Sequence, residues 1–123
     1  MNLVLEKAKQ HFAKIVRGEG LRSLSIPEWG ESEQPTIIYY RPLAALPIKT
    51  YSRWVTLGSE QTVEAFIEML ILRCLDNNGQ PVFKTIDKTE MLREISPVVV
   101  CRIITQISEG DNLPSSSEAK KNS

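Results

Sequence analysis

Residues 23–42 read SLSIPEWGESEQPTIIYYRP, and this stretch decides the fold. Ser23 to Ile26 alternates polar and apolar residues as a half-buried strand does, and Thr36 to Arg41 is rich in β-branched and aromatic residues. The acidic segment Gly30 to Pro35 joins the two runs, so the sequence predicts a β-hairpin with a long loop. Pro27 cannot donate a ladder hydrogen bond, so the first strand is an edge strand or ends there. Because a lone hairpin is only marginally stable, helices must cover its apolar side.

The sequence on both sides of the hairpin has the periodicity of helices. Residues 2–16 repeat apolar side chains at helical spacing, and two glycines end this segment. After the hairpin, Pro47 suits the first turn of a helix that ends at Gly58. Ser59 can cap the next helix, which we expect to cover residues 60–75.

Two further helices are predicted nearer the carboxyl end. Asp87, with a glutamate three residues later, forms a capping-box pattern for a short helix through Ile95. Ser96-Pro97 then repeats the signal of a cap followed by proline. Residues 98–107 are mostly β-branched and would suit a strand by propensity, but the helical spacing of their apolar residues favours a helix.

The helix predicted over residues 60–75 carries an apolar stripe, and its second half is apolar nearly all round. Met69 and Leu72 lie outside the main stripe. A helix of this kind is either central in the fold or covered by another chain, so Met69 and Leu72 are candidate self-association residues. One edge of the stripe carries a row of acidic residues, Glu60, Glu64 and Glu68. This row is either a solvated face or a surface that binds a basic partner.

These elements predict an α+β fold that is mainly α-helical, with about five helices and one small β-hairpin. A chain of 123 residues has room for one hydrophobic core. We therefore expect residues 1–109 to form a single globular domain. Residues 110–123 contain too few apolar side chains to fold, which predicts a disordered carboxyl-terminal tail.

Composition and charge argue against several classes of function. Fifteen Lys and Arg residues balance fifteen Asp and Glu residues, whereas binding to nucleic acid needs an excess of positive charge. The amino-terminal segment carries charges throughout and has no secretory signal, and no apolar run is long enough to span a membrane. We expect a soluble protein of the cytoplasm.

The sequence also offers little for catalysis. His11 is the only histidine, and it lies among charged residues without a clustered set of metal ligands. Cys74 and Cys101 lie in apolar helical runs, where we expect buried thiols with a raised pKa and little reactivity. No glycine-rich phosphate loop is present. We therefore expect a binding protein with no catalytic residue, metal or cofactor rather than an enzyme.

The order of three motifs resembles a known family. The first motif is Ile26-Pro27-Glu28-Trp29-Gly30, which comes shortly before Tyr39-Tyr40-Arg41. The second is an apolar helix that leads into residues 75–83, LDNNGQPVF. The third is a helix that begins at Ser96-Pro97 and precedes a polar tail. This arrangement, over residues 24–108, resembles the tail assembly chaperones of long-tailed bacteriophages, including the lambda-like and HK97-like proteins. The Pro-Glu-Trp-Gly element followed by a Tyr-x-Arg strand is its most specific part.

The resemblance implies a non-enzymatic role. Such chaperones coat the long, helical tape measure protein, self-associate, and hand it over to the tail tube protein, in part through a longer frameshifted form. It also implies a homo-oligomer in the host bacterial cytoplasm that is absent from the mature virion. An exposed apolar groove with an acidic edge would accept amphipathic helices. Candidate partner or self-association residues are Trp29, Tyr39, Arg41, Glu64, Glu68, Met69 and Leu72.

Two other classes of function remain open at this point. A structural component of the virion, such as a tail terminator or head–tail connector, is also small, neutral and oligomeric. A small enzyme would need a pair of carboxylates whose surroundings push their pKa values apart, and the sequence shows no convergent pair. Trp29 and Arg41 could equally brace the hairpin instead of contacting a partner.

Overall fold

The computed structural model describes residues 2–31 and 33–112, and it confirms the α+β, mainly helical class. Within those residues it contains five α-helices and one two-stranded antiparallel sheet. In chain order the elements are α1 (Leu3–Glu19), β1 (Arg22–Glu31), β2 (Gln34–Tyr40), α2 (Ile48–Glu60), α3 (Val63–Arg73), α4 (Lys88–Glu94) and α5 (Pro97–Asp111). Two short 3-10 helices, Leu43–Ala45 and Thr85–Asp87, precede α2 and α4.

The hairpin is longer than the sequence predicted. β1 and β2 pair regularly from Arg22 opposite Tyr40 to Ile26 opposite Thr36, and the register then breaks before a last pair near the turn. The irregularity follows Ile26, where Pro27 has no N–H for the ladder. Beyond it the strands approach so closely that a Cβ at Gly30 would overlap the backbone of β2. The expected loop from Gly30 to Pro35 is therefore mostly strand.

The boundary between α2 and α3 differs from the prediction. α2 continues through Gly58 to Glu60, and Gln61 then takes a left-handed conformation with φ of 56° that ends the helix. The cap of α3 is Thr62, whose hydroxyl accepts a hydrogen bond from the Ala65 N–H at 3.1 Å, and not Ser59. Gly58 does not stop the helix, because a glycine within a helix costs only about 1 kcal/mol relative to alanine.

The core lies between the inner face of the hairpin and helices α2, α3 and α5. α3 packs against α2 on one side and against α4 and α5 on the other, as its apolar second half predicted. The fully buried aliphatic side chains at the centre come from five elements, β1, β2, α2, α3 and α5: Ile26, Ile38, Leu57, Leu70, Ile103 and Ile107. The hairpin is thus stable because helices cover its apolar side.

The last helix bears on two expectations about the carboxyl end. Residues 97–111 form a helix and not a strand, with Val100, Ile103 and Ile107 facing the core. The tail was expected to begin at Gly110, but Gly110 and Asp111 belong to α5, and Gly110 is buried. The rest of the expected tail, residues 113–123, lies outside the described residues.

α1 stands apart from this core. Its first turn is capped by Asn2, whose side-chain oxygen accepts a hydrogen bond from the Leu5 N–H at 3.1 Å. No residue of α1 is buried, and its main contact is with the 3-10 helix Leu43–Ala45. Leu3, Val4 and Leu5 are exposed. The helix therefore leaves much of its apolar stripe open to solvent.

Candidate partner-binding site

A buried arginine at the end of α3 holds the surrounding elements together. The side chain of Arg73 is fully buried and forms two parallel hydrogen bonds, of 2.9 and 2.8 Å, with the carboxylate of Asp111 in α5. The same guanidinium donates to the Arg41 carbonyl at 2.9 Å and lies 4.6 Å from the centre of the Trp54 ring. Such a bidentate pair fixes the relative orientation of the two side chains and also neutralises their charges. Arg73 thus joins α2, α3, α5 and the end of the hairpin.

The end of α5 is fitted closely to the hairpin beside this pair. A Cβ at Gly110 would overlap the Tyr40 hydroxyl, and the Arg22 guanidinium donates to the Gly110 carbonyl. Only glycine leaves room for the tyrosine at this position. The position of the two strands relative to α3 and α5 is therefore set by the last turn of α5.

An apolar groove lies nearer the amino-terminal end of α3, between α3, α4 and α5. We call it the helix groove; it has a volume of about 130 Å³ and is lined by Val63, Phe66, Ile67, Met91, Leu92, Ile95, Pro97, Val100 and Cys101. Among residues 2–31 and 33–112, no charged side chain lines it. Glu64 is exposed on α3 but is not one of the residues that line the groove, so the acidic edge expected from the sequence stays a prediction.

A second, wider depression lies beside the hairpin. This hairpin groove, of about 470 Å³, lies between β2 and residues 76–83 and includes Trp29 and Tyr39 in its lining. Trp29 and Phe83 meet edge to face, with their ring centres 6.0 Å apart. The backbone of Tyr39 pairs with Leu75 through N–O distances of 2.9 and 2.7 Å, which fixes the two walls relative to each other. The groove has a rigid aromatic lining.

The structure distributes the seven candidate residues over separate places. Trp29 and Tyr39 share the hairpin groove, whereas Arg41 and Leu72 line another cavity at the start of α2. Met69 is buried in the core, where it contributes to packing. The seven residues therefore do not form one site.

The three glutamates predicted to form an acidic row on α3 do not lie on one helix as free charges. Glu68 pairs with Arg53 at 3.2 Å and with Lys88 at 3.5 Å, so two cations neutralise it. Glu60 belongs to the end of α2 and not to α3. Glu64 is exposed on the first turn of α3.

Sequence reasoning missed both Arg73 and the helix groove. The one available signal for Arg73 was a positive charge within the apolar run Ile71-Leu72-Arg73-Cys74. Lys and Arg are almost never fully buried unless they are paired, so that charge called for an acidic partner. The groove depends on how three helices pack, which no local pattern encodes.

The two cysteines differ in environment. Burial raises the pKa of the Cys74 thiol to about 12, so this residue is a protonated core side chain at neutral pH. Cys101 was also expected to be buried, but it is exposed on α5 at the helix groove. The α5 stripe that faces the core is Val100, Ile103 and Ile107, and Cys101 lies one residue off it.

An ion pair links the irregular part of β1 to α5. Both guanidinium Nη atoms of Arg102 donate to the carboxylate of Glu28, one of them at 2.7 Å. The hydrogen bond from Arg102 lowers the pKa of Glu28 and raises that of Arg102 itself.

None of the helices described combines the length and the apolar content needed to cross a bilayer.

Comparison with known structures finds a similar arrangement in a phage protein. A structure of the tail assembly chaperone of bacteriophage HK97 matches with a TM-score of 0.55 and 18% sequence identity, over 86% of this chain and 98% of that one. The chain has the fold of a phage tail assembly chaperone. No family model and no curated protein matches the sequence. At this identity the likeness is one of fold, and it supports the resemblance that the sequence motifs suggested.

Proposed function

We propose that this protein is a tail assembly chaperone of a long-tailed phage, which binds and coats the tape measure protein while the tail forms. The observation that carries the proposal is the fold shared with the HK97 tail assembly chaperone over nearly the whole length of both chains. The sequence motifs of the hairpin and of the last helix point to the same role independently. We further propose that it acts in the host cytoplasm and is not part of the finished virion.

The helix groove is the proposed contact with the tape measure protein. Its lining is apolar and open, and its exposed members Val63 and Leu92 lose contact with water when a partner covers them. A long helical partner offers apolar residues at helical spacing, the pattern that a groove between helices accepts. Each groove is small, so holding a long partner requires many copies bound along it.

The surface of α1 supports the proposed self-association. An amphipathic helix with no buried residue gains free energy when its apolar stripe is covered, at about 25 cal/mol per Å² of apolar area. Leu3, Val4 and Leu5 form the most exposed part of that stripe. We propose that α1 mediates the homo-oligomer. Recruitment of the tail tube protein, through a longer form of the chain, is the remaining part of the proposal.

The test is co-expression with the tape measure protein encoded by the same genome. The wild-type chain should raise the soluble fraction of that protein, and Val63→Glu should abolish the gain by placing a charge in the helix groove. Val98→Glu is the matched control because it changes the same residue type in the first turn of a helix, outside the groove. Val63 is 56% exposed and Val98 77%, so neither substitution disturbs the core.

The possible results separate the parts of the proposal. No gain in solubility with the wild-type chain would refute the chaperone function. A gain that Val63→Glu and Val98→Glu leave equally intact would refute the helix groove as the contact. Recovery of the chain from purified virions in the stoichiometry of a structural subunit would favour a tail terminator or connector instead.

A further inference from the structure

The outer edge of β2 has an open stretch beside the hairpin groove. In the regular part of the hairpin, Tyr39 lies opposite Ser23 of β1, yet both of its backbone groups bond away from β1, to Leu75. Backbone groups in an antiparallel ladder point to alternate sides, so those of Ile37, two residues earlier, also point away from β1. Ile37 thus belongs to the outer edge of the sheet.

The backbone of Ile37 is unpaired on this edge. Among residues 2–31 and 33–112, neither its N–H nor its C=O has a hydrogen-bond partner. The residue is 42% exposed, so both groups are close to solvent. Pro35, two residues earlier, has no N–H to offer. Since an edge with unpaired N–H and C=O groups is a template for one more strand, Ile37 is the position at which such a strand would bond.

A short strand already pairs with this edge at the neighbouring position. The pairing of β2 with Leu75 is antiparallel, so the chain after Leu75 would reach the place beside Ile37 if it continued straight. Instead it turns, and the Asp76 C=O accepts the Gly79 N–H at 3.0 Å. The chain then returns to pair with Leu75 at Pro81. The hairpin groove, which Ile37 and Asp76 both line, lies where the strand would have continued.

The hairpin groove has the size and the lining of a peptide site. Its volume of about 470 Å³ falls within the range of about 300–1,000 Å³ that is typical of ligand pockets. Val82 and Phe83 form an apolar wall opposite β2. Asp76 is the one charged residue among the described residues of the lining, and no cation in that part of the chain pairs with it. The groove therefore favours an occupant that is apolar and carries a positive charge.

A second copy of this chain does not fit this place through its own β2. Two β2 strands related by a two-fold axis at Ile37 would put residue 35 of one copy opposite residue 39 of the other. Leu75 already occupies the position opposite Tyr39 in each copy. The edge therefore requires a segment other than β2 itself.

From these features we infer that the outer edge of β2 binds an extended segment of a partner protein, which adds a strand beside Ile37 and presents a lysine or arginine to Asp76. An extended main chain offers a donor and an acceptor at the spacing of a strand, so it satisfies both backbone groups of Ile37. Its alternate side chains cover the apolar wall. The inference goes beyond the proposed function, because the helix groove takes a helix whereas this edge takes a strand.

The test uses the full chain and a defined peptide, acetyl-Lys-Val-Thr-Val-Thr-amide. Its control carries N-methyl groups on every residue after the lysine, which keeps the side chains and the charge and removes the main-chain donors. In NMR titrations the first peptide should give saturable shifts at the Ile37 amide and slow its hydrogen exchange. The methylated peptide should bind about tenfold more weakly, the loss expected when buried backbone hydrogen bonds are not made.

Two substitutions test the contact from the side of the protein. Ile37→Pro removes the outward N–H and leaves the ladder with β1 intact, and β2 already contains a proline at Pro35. It should weaken peptide binding about tenfold, whereas Ile37→Val keeps the N–H and should not.

Asp76→Asn tests the charge. One carboxylate oxygen of Asp76 accepts the N–H groups of residues 78 and 80, at 2.8 and 3.0 Å, and the amide oxygen of asparagine can still do so. The substitution should weaken binding of the lysine peptide about two- to fivefold. It should leave unchanged the binding of a peptide with glutamine in place of lysine.

Several results would overturn the inference. A slowly exchanging Ile37 amide in the free protein would show that the edge is already covered. An absence of saturable shifts at that amide, or equal binding of the methylated peptide, would show that no strand is added. Both results come from the unaltered protein, so they hold even where Ile37→Pro impairs folding. A dimer in sedimentation that Ile37→Pro abolishes would identify a second copy as the occupant.

The co-expression assay separates this site from the helix groove. Val63→Glu should leave peptide binding unchanged, and Ile37→Pro should leave the soluble fraction of the tape measure protein unchanged. A folded Ile37→Pro variant that no longer solubilises the tape measure protein would place that protein at the edge and refute two separate sites. A chain that binds the peptide but never solubilises the tape measure protein would refute the chaperone function and leave the strand site standing.

Discussion

The buried pair of Arg73 and Asp111 allows the sharpest test of how this fold is held together. We consider Asp111→Ala, which removes the carboxylate and leaves the guanidinium in place. Arg73 belongs to the end of α3 in the core, and its side chain is 0% exposed, so it cannot move into water without opening the protein. Removing one member of such a pair leaves an uncompensated buried charge, and we expect a loss of about 3–5 kcal/mol.

The reverse substitution should cost less for a structural reason. In Arg73→Met the remaining charge is on Asp111, in the last turn of α5, where fraying of that turn can return the carboxylate to water. The Met side chain can still pack on Trp54, although the hydrogen bond to the Arg41 carbonyl is lost at about 1 kcal/mol. The two single variants should therefore differ, with Asp111→Ala the less stable.

The double variant Arg73→Met with Asp111→Ala completes the cycle. It leaves no buried charge, and replacing a buried pair by apolar residues is often neutral, so it should be more stable than Asp111→Ala alone. The assay is urea unfolding followed by tryptophan fluorescence, since Trp54, one of the two tryptophans, contacts Arg73 directly. A loss below about 1 kcal/mol for Asp111→Ala, or additive effects across the cycle, would refute the central role given to this pair.

Three other predictions concern the surroundings of the core. Gly110→Ala should lower the free energy of unfolding by about 1–3 kcal/mol, since its Cβ meets a buried tyrosine hydroxyl, and unchanged urea unfolding would contradict this. Arg102 lowers the pKa of Glu28 in the folded protein. The stabilisation from this pair is therefore fully present above the unfolded-state pKa of Glu28 and is lost as the pH falls through the lower folded-state pKa. Glu28→Gln should reduce this loss of stability at acid pH, as measured by thermal melts at a series of pH values. In the folded protein Cys101 should react with a thiol reagent while Cys74 stays protected until the protein is denatured, and equal rates would show that α5 is packed differently.

The overall class of this fold could be predicted because its signals are local. Alternation in Ser23–Ile26, the β-branched run after Pro35 and the helical spacing elsewhere each act within a few residues, and each was confirmed. Boundaries were less certain since they depend on tertiary contacts. Gly58 was expected to end α2, but the helix passes through it, and the methyl group of Met69 lies 3.7 Å from where a Cβ would be.

The arrangement around Arg73 could not be predicted for a different reason. Its partner Asp111 lies 38 residues away, in a segment whose composition indicated a disordered tail. Composition measures how much apolar surface a segment can bury, and Asp111 is ordered instead by a charge pair. The same limit applies to the candidate site residues. Trp29 and Tyr39 do share a groove. Glu68, however, is neutralised by cations from α2 and the start of α4, and no pattern within α3 predicts those partners.

The proposed mode of binding places a constraint on the whole assembly. The helix groove has a volume of about 130 Å³, whereas pockets that bind small molecules have volumes of about 300–1,000 Å³. One copy of the protein should therefore bind a helix only weakly. Weak sites hold a long partner only when they are linked, because linking makes each later contact intramolecular. In this protein the link would be α1, whose exposed stripe lies outside the core that Arg73 secures. Self-association and binding to the tape measure protein should therefore be lost together when α1 is altered, even though the groove itself is unchanged.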